Sequence, residues 1–377
     1  MKRLETEIAI VGAGPAGLSA AIEAGKSGAK VVLIDENAVP GGQLFKQIHK
    51  FFGSKEHKAG TRGFEIGQQL LDEVAEYPNV TVMLDTLVFG FFPENTLGLV
   101  SKAATYQLKA KKVILATGAQ ENYIAFPGST LPGVMGAGAA QTMININRVL
   151  PGRKVVMLGS GNVGLIVSYQ LLQAGADVCA LVEAAPNVGG YGVHAAKIAR
   201  AGVPILTSHT VARAVAGEDG NLSKVVIAQV DSGFRQIPGT EREIECDTLC
   251  LAVGLNPMTE LAWMAGCKFT YVGPFGGHIP LHDMDMRTSD PDIFAAGDIS
   301  GVEEASSAIE EGRLAGIAAA ESLGYIGGTE AAARQADIWA TLGRLRAGRF
   351  GQKRAELKAQ MLQSFEKLMT KGGDPRG

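Results

Sequence analysis

The fold is indicated by Glu7-Ile-Ala-Ile-Val-Gly-Ala-Gly-Pro-Ala-Gly-Leu18, together with Lys30-Val-Val-Leu-Ile-Asp-Glu36 that follows it. These stretches predict a buried strand, a glycine-rich turn, a helix and a second strand that ends in acids, a pattern typical of proteins that bind a dinucleotide. Gly12 permits a tight turn, Gly14 lets the backbone approach a pyrophosphate, and Gly17 lets the helix pack on the strand. The helix N-terminus then directs its N–H groups at the phosphates. The predicted contacts are Gly12, Gly14, Pro15, Ala16, Gly17 and, at the ribose, Glu36.

The same pattern returns in Arg153-Lys-Val-Val-Met-Leu-Gly-Ser-Gly-Asn-Val-Gly164, whose first glycine lies 147 residues after Gly12. A helix and a second strand over residues 177–182 follow, and this strand ends at Glu183. A carboxylate there suits the free 2′-hydroxyl of NAD, whereas NADP would need an arginine that residues 184–186 do not supply, so the sequence favours NAD. The predicted contacts are Gly159, Gly161, Asn162, Val163, Gly164, Glu183 and, from a later strand end, Gly254. Two complete patterns predict two nucleotides in one chain.

Composition excludes several other classes of protein. The 377 residues suffice for two or three domains, and no apolar run approaches the roughly 20 residues that span a bilayer. The first residues lead into the first predicted strand without the apolar segment of an export signal, so we expect no membrane span and a cytoplasmic location. Cys179, Cys246, Cys250 and Cys267 contain no CxxC pair and give neither a disulfide framework nor an iron–sulfur spacing, and we assign no metal ligands.

The last part of the chain differs in charge from the rest. The net charge is −3, yet the segment from Arg334 to the end holds ten Lys and Arg against four Asp and Glu, a local charge of +6. A basic arm can bind nucleic acid. Apolar side chains at helical spacing instead favour an amphipathic helix that docks on protein or forms an oligomer, and they are Leu357, Met361, Phe365 and Leu368.

Further turns and strand ends carry glycine or small polar residues, as expected where ligands of α/β sheets bind. They are Gly41-Gly42-Gln43, Ala116-Thr117-Gly118, residues 249–254, which we expect to return the chain to the first domain, and Gly297-Asp298. Periodicity predicts helices over 61–77 and 304–323, a strand over 80–84, an antiparallel meander through 88–92, 97–100 and 105–108, and a separate strand from residue 112.

These motifs, in this order over about residues 5 to 325, resemble the two-dinucleotide-binding-domain flavoproteins of the pyridine nucleotide–disulfide oxidoreductase superfamily. The resemblance implies an α/β fold of two Rossmann-like, three-layer ββα domains, with the NAD domain inserted into the FAD domain. The implied divisions are 1–120 and 251–325 for FAD, 121–250 for NAD(P), and 326–377 for a basic helical tail. The implied FAD contacts are Gly12, Gly14, Pro15, Ala16, Gly17, Glu36, Gly42, Gln43, Ala116, Thr117, Gly118, Gly297, Asp298 and Ala305.

Differences between this sequence and the motifs of the superfamily reduce the number of functions that the resemblance allows. Segments 37–50 and 134–148, where relatives carry reactive cysteines, contain none, so disulfide reduction is not expected. The segments Pro40-Gly-Gly-Gln-Leu-Phe-Lys46, Gly118-Ala-Gln-Glu121 and Pro132-Gly-Val-Met-Gly-Ala-Gly138 look most like the alpha-type subunits of heteromeric sarcosine oxidase, hydroxyproline or opine dehydrogenases and hydrogen cyanide synthase. The resemblance implies an electron-handling subunit beside a beta-type flavoprotein that oxidises the amine or amino acid. The tail has no cysteine, so an iron–sulfur centre either belongs to another chain or is absent. An iron–sulfur or other electron-transfer protein is therefore a candidate partner.

Hydride transfer between NAD(H) and FAD needs no protein nucleophile, and no side chain is assigned as catalytic. Gln43, Lys46 and His49 are candidate flavin neighbours, since an amide or a cation near the ring favours its anionic reduced form. Three functions stay open: a subunit of an amine or amino-acid dehydrogenase, a stand-alone NADH-dependent flavin reductase or oxidase acting on quinone, dye, ferredoxin or oxygen, and a non-catalytic nucleotide-binding assembly subunit. We expect an oligomer and no nucleic-acid partner.

Overall fold

A computed structural model of the chain describes residues 2–51, 58–102 and 104–370. The chain divides into two compact units, of which the first comprises residues 1–120 and 256–377 and the second residues 121–255. The second unit is thus inserted into the sequence of the first. It extends to Leu255, five residues beyond the boundary expected from the sequence.

The first half of the first unit is built around a mostly parallel sheet. Its described elements are β1 (Lys2–Val11), α1 (Pro15–Lys26), β2 (Val31–Ile34), a 3₁₀ helix (Gly42–Lys46), α2 (Gly63–Ala75), β3 (Val80–Met83), β4 (Thr86–Phe92), β5 (Thr96–Ser101) and β6 (Thr105–Leu115). Strands β3, β2, β1 and β6 are parallel in that order, and β5 and β4 continue the sheet as an antiparallel meander. Strand β6 is continuous rather than the two strands predicted, because it pairs with β1 from Lys2 opposite Tyr106 to Val11 opposite Leu115.

The second unit repeats this plan. The chain enters it through β7 (Ala119–Glu121) and then forms β8 (Val134–Gly136), α3 (Ala137–Thr142), a π-helical segment (Met143–Asn147), β9 (Lys154–Leu158), α4 (Asn162–Gln173), β10 (Asp177–Glu183), α5 (Gly192–Arg200), β11 (Ile205–Thr207), β12 (His209–Ala216), β13 (Leu222–Gln229), β14 (Arg242–Glu245) and β15 (Thr248–Leu251). Strands β11, β10, β9, β15 and β8 form a parallel sheet in that order, and β12, β13 and β14 form an antiparallel one. Strand β15 was expected to return the chain to the first domain, but it lies inside this sheet because it pairs with both β9 and β8.

The chain then completes the first unit. The remaining described elements are β16 (Leu255–Pro257), α6 (Glu260–Met264), β17 (Phe269–Val272), a 3₁₀ helix (Gly273–Phe275), β18 (Gly277–Pro280), β19 (Ile293–Ala295), a 3₁₀ helix (Asp298–Ser300), α7 (Ala305–Ser322), α8 (Gly328–Leu345) and α9 (Gly348–Thr370). Strand β19 adds to the parallel sheet beside the end of β6, with Ile293 opposite Val113. None of the helices in the described part of the chain is long and apolar enough to cross a bilayer.

The sheet of the first unit is buried on both faces, as parallel sheets are. Alternate residues of β1 point to opposite sides, so that Ile8 and Ile10 join a cluster with α1, α7 and α8 while Ala9 and Val11 join another. Helix α7 lies very close to α1, because a Cβ at Gly312 would come within 2.0 Å of the carbonyl oxygen of Ala16. This contact brings the start of α7 to the first glycine loop.

The C-terminal helices α8 and α9 pack on the first unit itself. Ile338 and Leu342 of α8 belong to the cluster around α1 and α7, and Met361 and Phe365 of α9 cover Phe275. The predicted amphipathic helix therefore forms, but its apolar side faces its own chain. Each such buried side chain contributes roughly 1.5–3 kcal/mol to folding.

Candidate nucleotide-binding sites

The first glycine loop joins the end of β1 to the start of α1. Gly12 has a φ of +102°, and a Cβ placed on it would lie 2.3 Å from the carbonyl oxygen of Ala116. A Cβ on Gly17 would lie 1.7 Å from the carbonyl oxygen of Gly12, whereas a Cβ on Gly14 would have no atom of the described residues within 4 Å. The outer two glycines are thus required by the protein's own packing, and the middle one faces open space.

The second glycine loop, between β9 and α4, has the same steric pattern. Gly159 has a φ of +107°, and its Cβ would lie 2.2 Å from the carbonyl oxygen of Ala252. The Cβ of Gly164 would lie 2.1 Å from the carbonyl oxygen of Gly159, and that of Gly161 would have nothing within 4 Å in the part of the chain that the structure describes. In both units, packing leaves the middle glycine free for the approach of a ligand.

An acid at the end of the second strand of each unit faces its glycine loop. The N–H of Ala13 donates to Asp35 Oδ2 at 2.6 Å, and the N–H of Ser160 donates to Glu183 Oε2 at 2.8 Å. Ala13 and Ser160 each follow the first glycine of their loop, so Asp35 and Glu183 are equivalent. Glu36, which the sequence assigned to the ribose, is exposed and lies one residue beyond this position.

A Gly-Gly turn covers the first loop. The N–H of Gly41 donates to the carbonyl oxygen of Ala13 at 2.6 Å, and a Cβ on Gly42 would lie 2.9 Å from Gly14 Cα. The expected flavin neighbours follow in the 3₁₀ helix and beyond it, with Gln43 exposed and Lys46 half-buried. Half-buried His49 stacks on Phe51 with ring centroids 6.0 Å apart. Residues 52–57, which follow in the sequence, lie outside the described residues.

An equivalent segment covers the second loop, and sequence reasoning missed it. The N–H groups of Gly189 and Gly190 donate to Ser160, to its Oγ at 3.0 Å and its carbonyl oxygen at 2.8 Å respectively. The N–H of Tyr191 donates to Asn162 Oδ1 at 2.9 Å. The signal was present in the sequence, because in each unit a Gly-Gly pair begins six residues after the acid, at Gly41 and at Gly189.

Ala116 and Gly297, two of the other expected FAD residues, lie against the first loop and the helix that follows it. Ala116 follows β6 and donates its N–H to the carbonyl oxygen of Val11, and Thr117 Oγ1 donates to the carbonyl oxygen of Met258 at 2.6 Å. A Cβ on Gly297 would lie 2.9 Å from that of Ala16, which places the Gly297-Asp298 turn against the first turn of α1. Gly118 has a φ of +75° with open space around its Cβ, and Ala305 begins α7.

The carboxyl group of Asp298 lies in an unusual environment. Its Oδ1 accepts a hydrogen bond from the N–H of Glu303 at 3.3 Å. Burial, reinforced by the carboxylates of Glu311, Glu303 and Glu304, raises its pKa to about 7. A ligand that offers hydroxyl groups at this position would hydrogen-bond to the carboxyl group in either protonation state.

The remaining expected NAD residues are in the second unit. Asn162 and Val163 begin α4, and Val163 is exposed. Gly254 has a φ of +107°, and the side chain of Asn122 lies 3.0 Å from the position of its Cβ. His194, near this loop on α5, is buried, and burial lowers its pKa.

The thiols are poorly suited to nucleophilic chemistry. All four cysteines are free, and burial raises the pKa of Cys246 and Cys250 to about 12 and that of Cys267 to about 11. Burial also raises the pKa of the half-buried Cys179. Thiolates, the reactive form, are therefore scarce near neutral pH. Within the described ranges, no three His, Cys, Asp or Glu side chains are grouped so as to hold a metal ion.

A family model described as pyridine nucleotide-disulphide oxidoreductase matches residues 6–312, which include both glycine loops and the Gly297-Asp298 turn. The chain belongs to this family. It is thus an oxidoreductase, and the resemblance deduced from its motifs is confirmed. Membership of the pyridine nucleotide-disulphide oxidoreductases implies the use of a flavin and a nicotinamide nucleotide.

Relatives with established names are components of larger enzymes. The A subunit of opine oxidase from Agrobacterium tumefaciens (strain Ach5) is 31% identical over 341 residues, which cover 84% of this chain and 66% of the relative. The alpha subunit of sarcosine oxidase from Rhizobium meliloti (strain 1021) is 32% identical over 276 residues, which cover 70% of this chain and 26% of the relative. The chain thus spans less than two thirds of the length of each. Their names indicate multi-subunit enzymes.

The fold is also that of solved structures. The thioredoxin reductase of T. acidophilum superimposes on the chain with a TM-score of 0.69 at 24% identity, covering 85% of this chain and 99% of the reductase. This likeness confirms the predicted α/β fold with two Rossmann-like domains.

Proposed function

We propose that this chain is the FAD- and NAD(H)-binding subunit of a heteromeric enzyme that oxidises an amine or an amino acid, and that its own task is hydride transfer between the two nucleotides. The observation that carries the proposal is the repetition of one steric pattern in two loops, each with its own acid and its own Gly-Gly turn. The names of the relatives, which are subunits of opine and sarcosine oxidases, support the heteromeric part.

The first unit fits the diphosphate and ribose of FAD. A phosphate beside Gly14 would meet no side chain, and the first N–H groups of α1 lack intrahelical acceptors. Because Asp35 is equivalent to Glu183, the proposed contact to the ribose is Asp35 rather than Glu36. Asp298 would bind the hydroxyl groups of the ribityl chain.

The second unit fits NAD better than NADP. Glu183 Oε1 accepts from the N–H of Ala185 at 2.8 Å and its Oε2 accepts from Ser160, so the carboxylate is fixed beside the loop. A 2′-phosphate brought to this carboxylate would be repelled, whereas a 2′-hydroxyl would donate to it. The short side chains of Ala184 and Ala185 offer no cation in compensation.

When both nucleotides are bound, the flavin supplies the redox chemistry by exchanging a hydride with the nicotinamide ring. The chain's own residues bind and orient the nucleotides through backbone N–H groups and the two acids. Because three of its thiols are buried and burial raises the pKa of all four, electrons would leave for a partner rather than pass through a cysteine.

The test is an anaerobic titration of the FAD-loaded protein with NADH and then with NADPH, following the bleaching of the flavin absorbance. We expect NADH to bleach the flavin rapidly and NADPH to do so more slowly. Failure of both nucleotides to bleach bound FAD would remove the hydride-transfer proposal and leave either a flavin subunit that a partner reduces or a non-catalytic assembly subunit.

The heteromeric part is tested separately, by purifying the chain from its source cells with its neighbours attached. We expect a second flavoprotein to co-purify, and the complex to oxidise an amine or amino acid that the chain alone does not. Steady NADH turnover by the isolated chain with a dye or oxygen, without any partner, would instead identify a stand-alone reductase.

A further inference from the structure

Four charged side chains are buried together where the C-terminal helices meet the start of α7. Glu303 and Glu311 supply two negative charges, and Arg346 and Lys358 supply two positive ones. Each side chain is only 4–5% exposed. The cluster has no net charge, and it is assembled from two parts of the sequence.

The two cations come from the tail and bind the two acids directly. Arg346, at the turn between α8 and α9, donates from Nε and an Nη to the two carboxylate oxygens of Glu303 at 3.0 and 2.9 Å. The same Nη lies 2.6 Å from Glu311 Oε1, and Lys358 Nζ of α9 lies 2.9 Å from that oxygen. Paired, charge-assisted bonds of this kind are strong and directional.

The cluster continues into the Gly297-Asp298 turn. Glu311 Oε2 accepts from the N–H of Gly297 at 3.1 Å and from Ser300 Oγ at 2.8 Å. Lys358 Nζ also donates to the carbonyl oxygen of Ser300 at 2.9 Å. The N–H that holds the Asp298 carboxyl group belongs to Glu303, whose side chain is fixed by Arg346.

We propose that Arg346 and Lys358 are positioning residues of the flavin site, which hold the Gly297-Asp298 turn in the conformation that binds the nucleotide. This inference rests on the proposed function, because it takes this turn to contact FAD. The C-terminal helical pair is then an integral part of the flavin site rather than a free docking arm.

Charge and backbone conformation explain why the turn needs these residues. Without Lys358, the buried Glu311 would lose one of its two cations, and a buried carboxylate without sufficient compensation binds a proton or moves toward water. Glu311 also carries the hydrogen bond to Gly297, so its movement would release the turn. Gly297 and Gly301, with φ values of +80° and +127°, give this segment conformational freedom that the cluster restrains.

The test compares Lys358→Met with Lys367→Met in the full-length chain. Both lysines lie on α9, but Lys367 is exposed. FAD affinity is measured by fluorescence well below the melting temperature of each variant, together with the absorbance spectrum and midpoint potential of the bound flavin. We expect Lys358→Met to weaken FAD binding at least about tenfold and to shift the potential, and Lys367→Met to stay within about twofold of the wild type.

A second pair of variants separates positioning from folding. Adding Glu311→Gln to Lys358→Met removes the unbalanced charge while keeping an acceptor for the N–H of Gly297, so most of the lost affinity should return. Arg346→Lys keeps the charge but loses the paired bonds to Glu303, and it should weaken FAD binding less than Lys358→Met does.

Unchanged FAD affinity and potential in folded Lys358→Met would overturn this inference, even with a lowered melting temperature. If Lys358→Met does not fold, Arg346→Lys is measured in its place. An unchanged FAD affinity of Arg346→Lys would then overturn this inference. A wild-type chain that binds no FAD would overturn the proposed function, and that result appears before any variant is made.

Discussion

Asp35 and Glu183 occupy the same position in the two units, since each accepts a hydrogen bond from the N–H of the residue that follows the first glycine of its loop. The distances, 2.6 and 2.8 Å, are those of charge-assisted bonds. One arrangement thus occurs twice in the chain.

Alanine in the first glycine loop should separate ligand binding from folding. Gly14→Ala places its methyl group in open space, so we expect the apoprotein to keep its stability within about 0.5 kcal/mol while FAD binds at least about tenfold more weakly. Gly17→Ala drives its methyl group into the carbonyl of Gly12, and it should cost about 3 kcal/mol or more of stability. Thermal unfolding and FAD titration measure the two effects.

The second loop provides the matched control for this experiment. Gly161→Ala should leave FAD binding unchanged and weaken NADH binding, because Gly161 is the equivalent of Gly14. Loss of FAD from Gly161→Ala, with FAD retained by Gly14→Ala, would reverse the assignment of the two nucleotides.

Substitution of two neighbouring acids, Asp35 and Glu36, shows which of them contacts the ribose of FAD. Asp35→Asn replaces a buried carboxylate that faces the loop with a neutral amide, and we expect FAD to bind at least about tenfold more weakly. Glu36→Gln alters an exposed side chain and should change the affinity less than about twofold. Fluorescence titration of apoprotein with FAD measures both, and the opposite ranking would return the ribose contact to Glu36.

Glu183 should control the choice between NADH and NADPH. We expect Glu183→Gln to raise the concentration of NADH needed for half-maximal flavin reduction about tenfold, and to reduce the preference for NADH over NADPH. The exposed Glu218, in the same unit, provides a control as Glu218→Gln. Stopped-flow measurement of flavin reduction at several NADH and NADPH concentrations compares the variants with the wild type. An unaltered preference for NADH in Glu183→Gln would contradict the prediction.

His282 should make stability depend on pH. Its Nδ1 lies 2.8 Å from the carbonyl oxygen of Asp283, and burial, with Lys358 and Arg346 nearby and Glu311 opposing them, lowers its pKa to about 4. Between pH 6.5 and 4, His282 binds a proton in the unfolded chain but stays neutral in the native protein. The stabilisation from neutral His282 is complete above pH 6.5 and decreases by about 3 kcal/mol as the pH falls to 4.

Denaturant unfolding of wild type and His282→Gln at pH 7 and pH 4 checks this expectation. The difference in unfolding free energy between the two proteins should shift by about 3 kcal/mol in favour of the variant at the lower pH, because other titrating groups are common to both. A constant difference for His282→Gln would contradict the prediction.

The glycine loops could be predicted from the sequence because their geometry is local. The spacing of three glycines between a strand and a helix determines which Cβ positions meet backbone, and Gly12 and Gly17 behave accordingly. The proposal of Asp35 in place of Glu36 depends on the position at which β2 ends, which two adjacent acids in a sequence do not reveal. The Gly-Gly turn at Gly189 was detectable, but only by aligning the two halves of the chain.

The contacts of the tail could not be predicted, because they join residues far apart in the sequence. Arg346 is 43 residues from Glu303, and Lys358 is 58 residues from Ser300. The charge count shows a basic tail on an otherwise acidic chain, and this pattern is also expected of an arm that binds a partner protein. The structure instead pairs part of that basic charge with buried acids of the same unit.

The buried cluster also limits how the chain can be shortened for study. The match to the family ends at residue 312, within α7, and a fragment ending near Ser322 would look complete by its motifs. Such a fragment would retain Glu303 and Glu311 but lack both of their cations, so its flavin half would carry two uncompensated acids in its interior. The shortest fragment with a balanced interior must include α9 at least through Lys358, well beyond the last recognisable nucleotide motif.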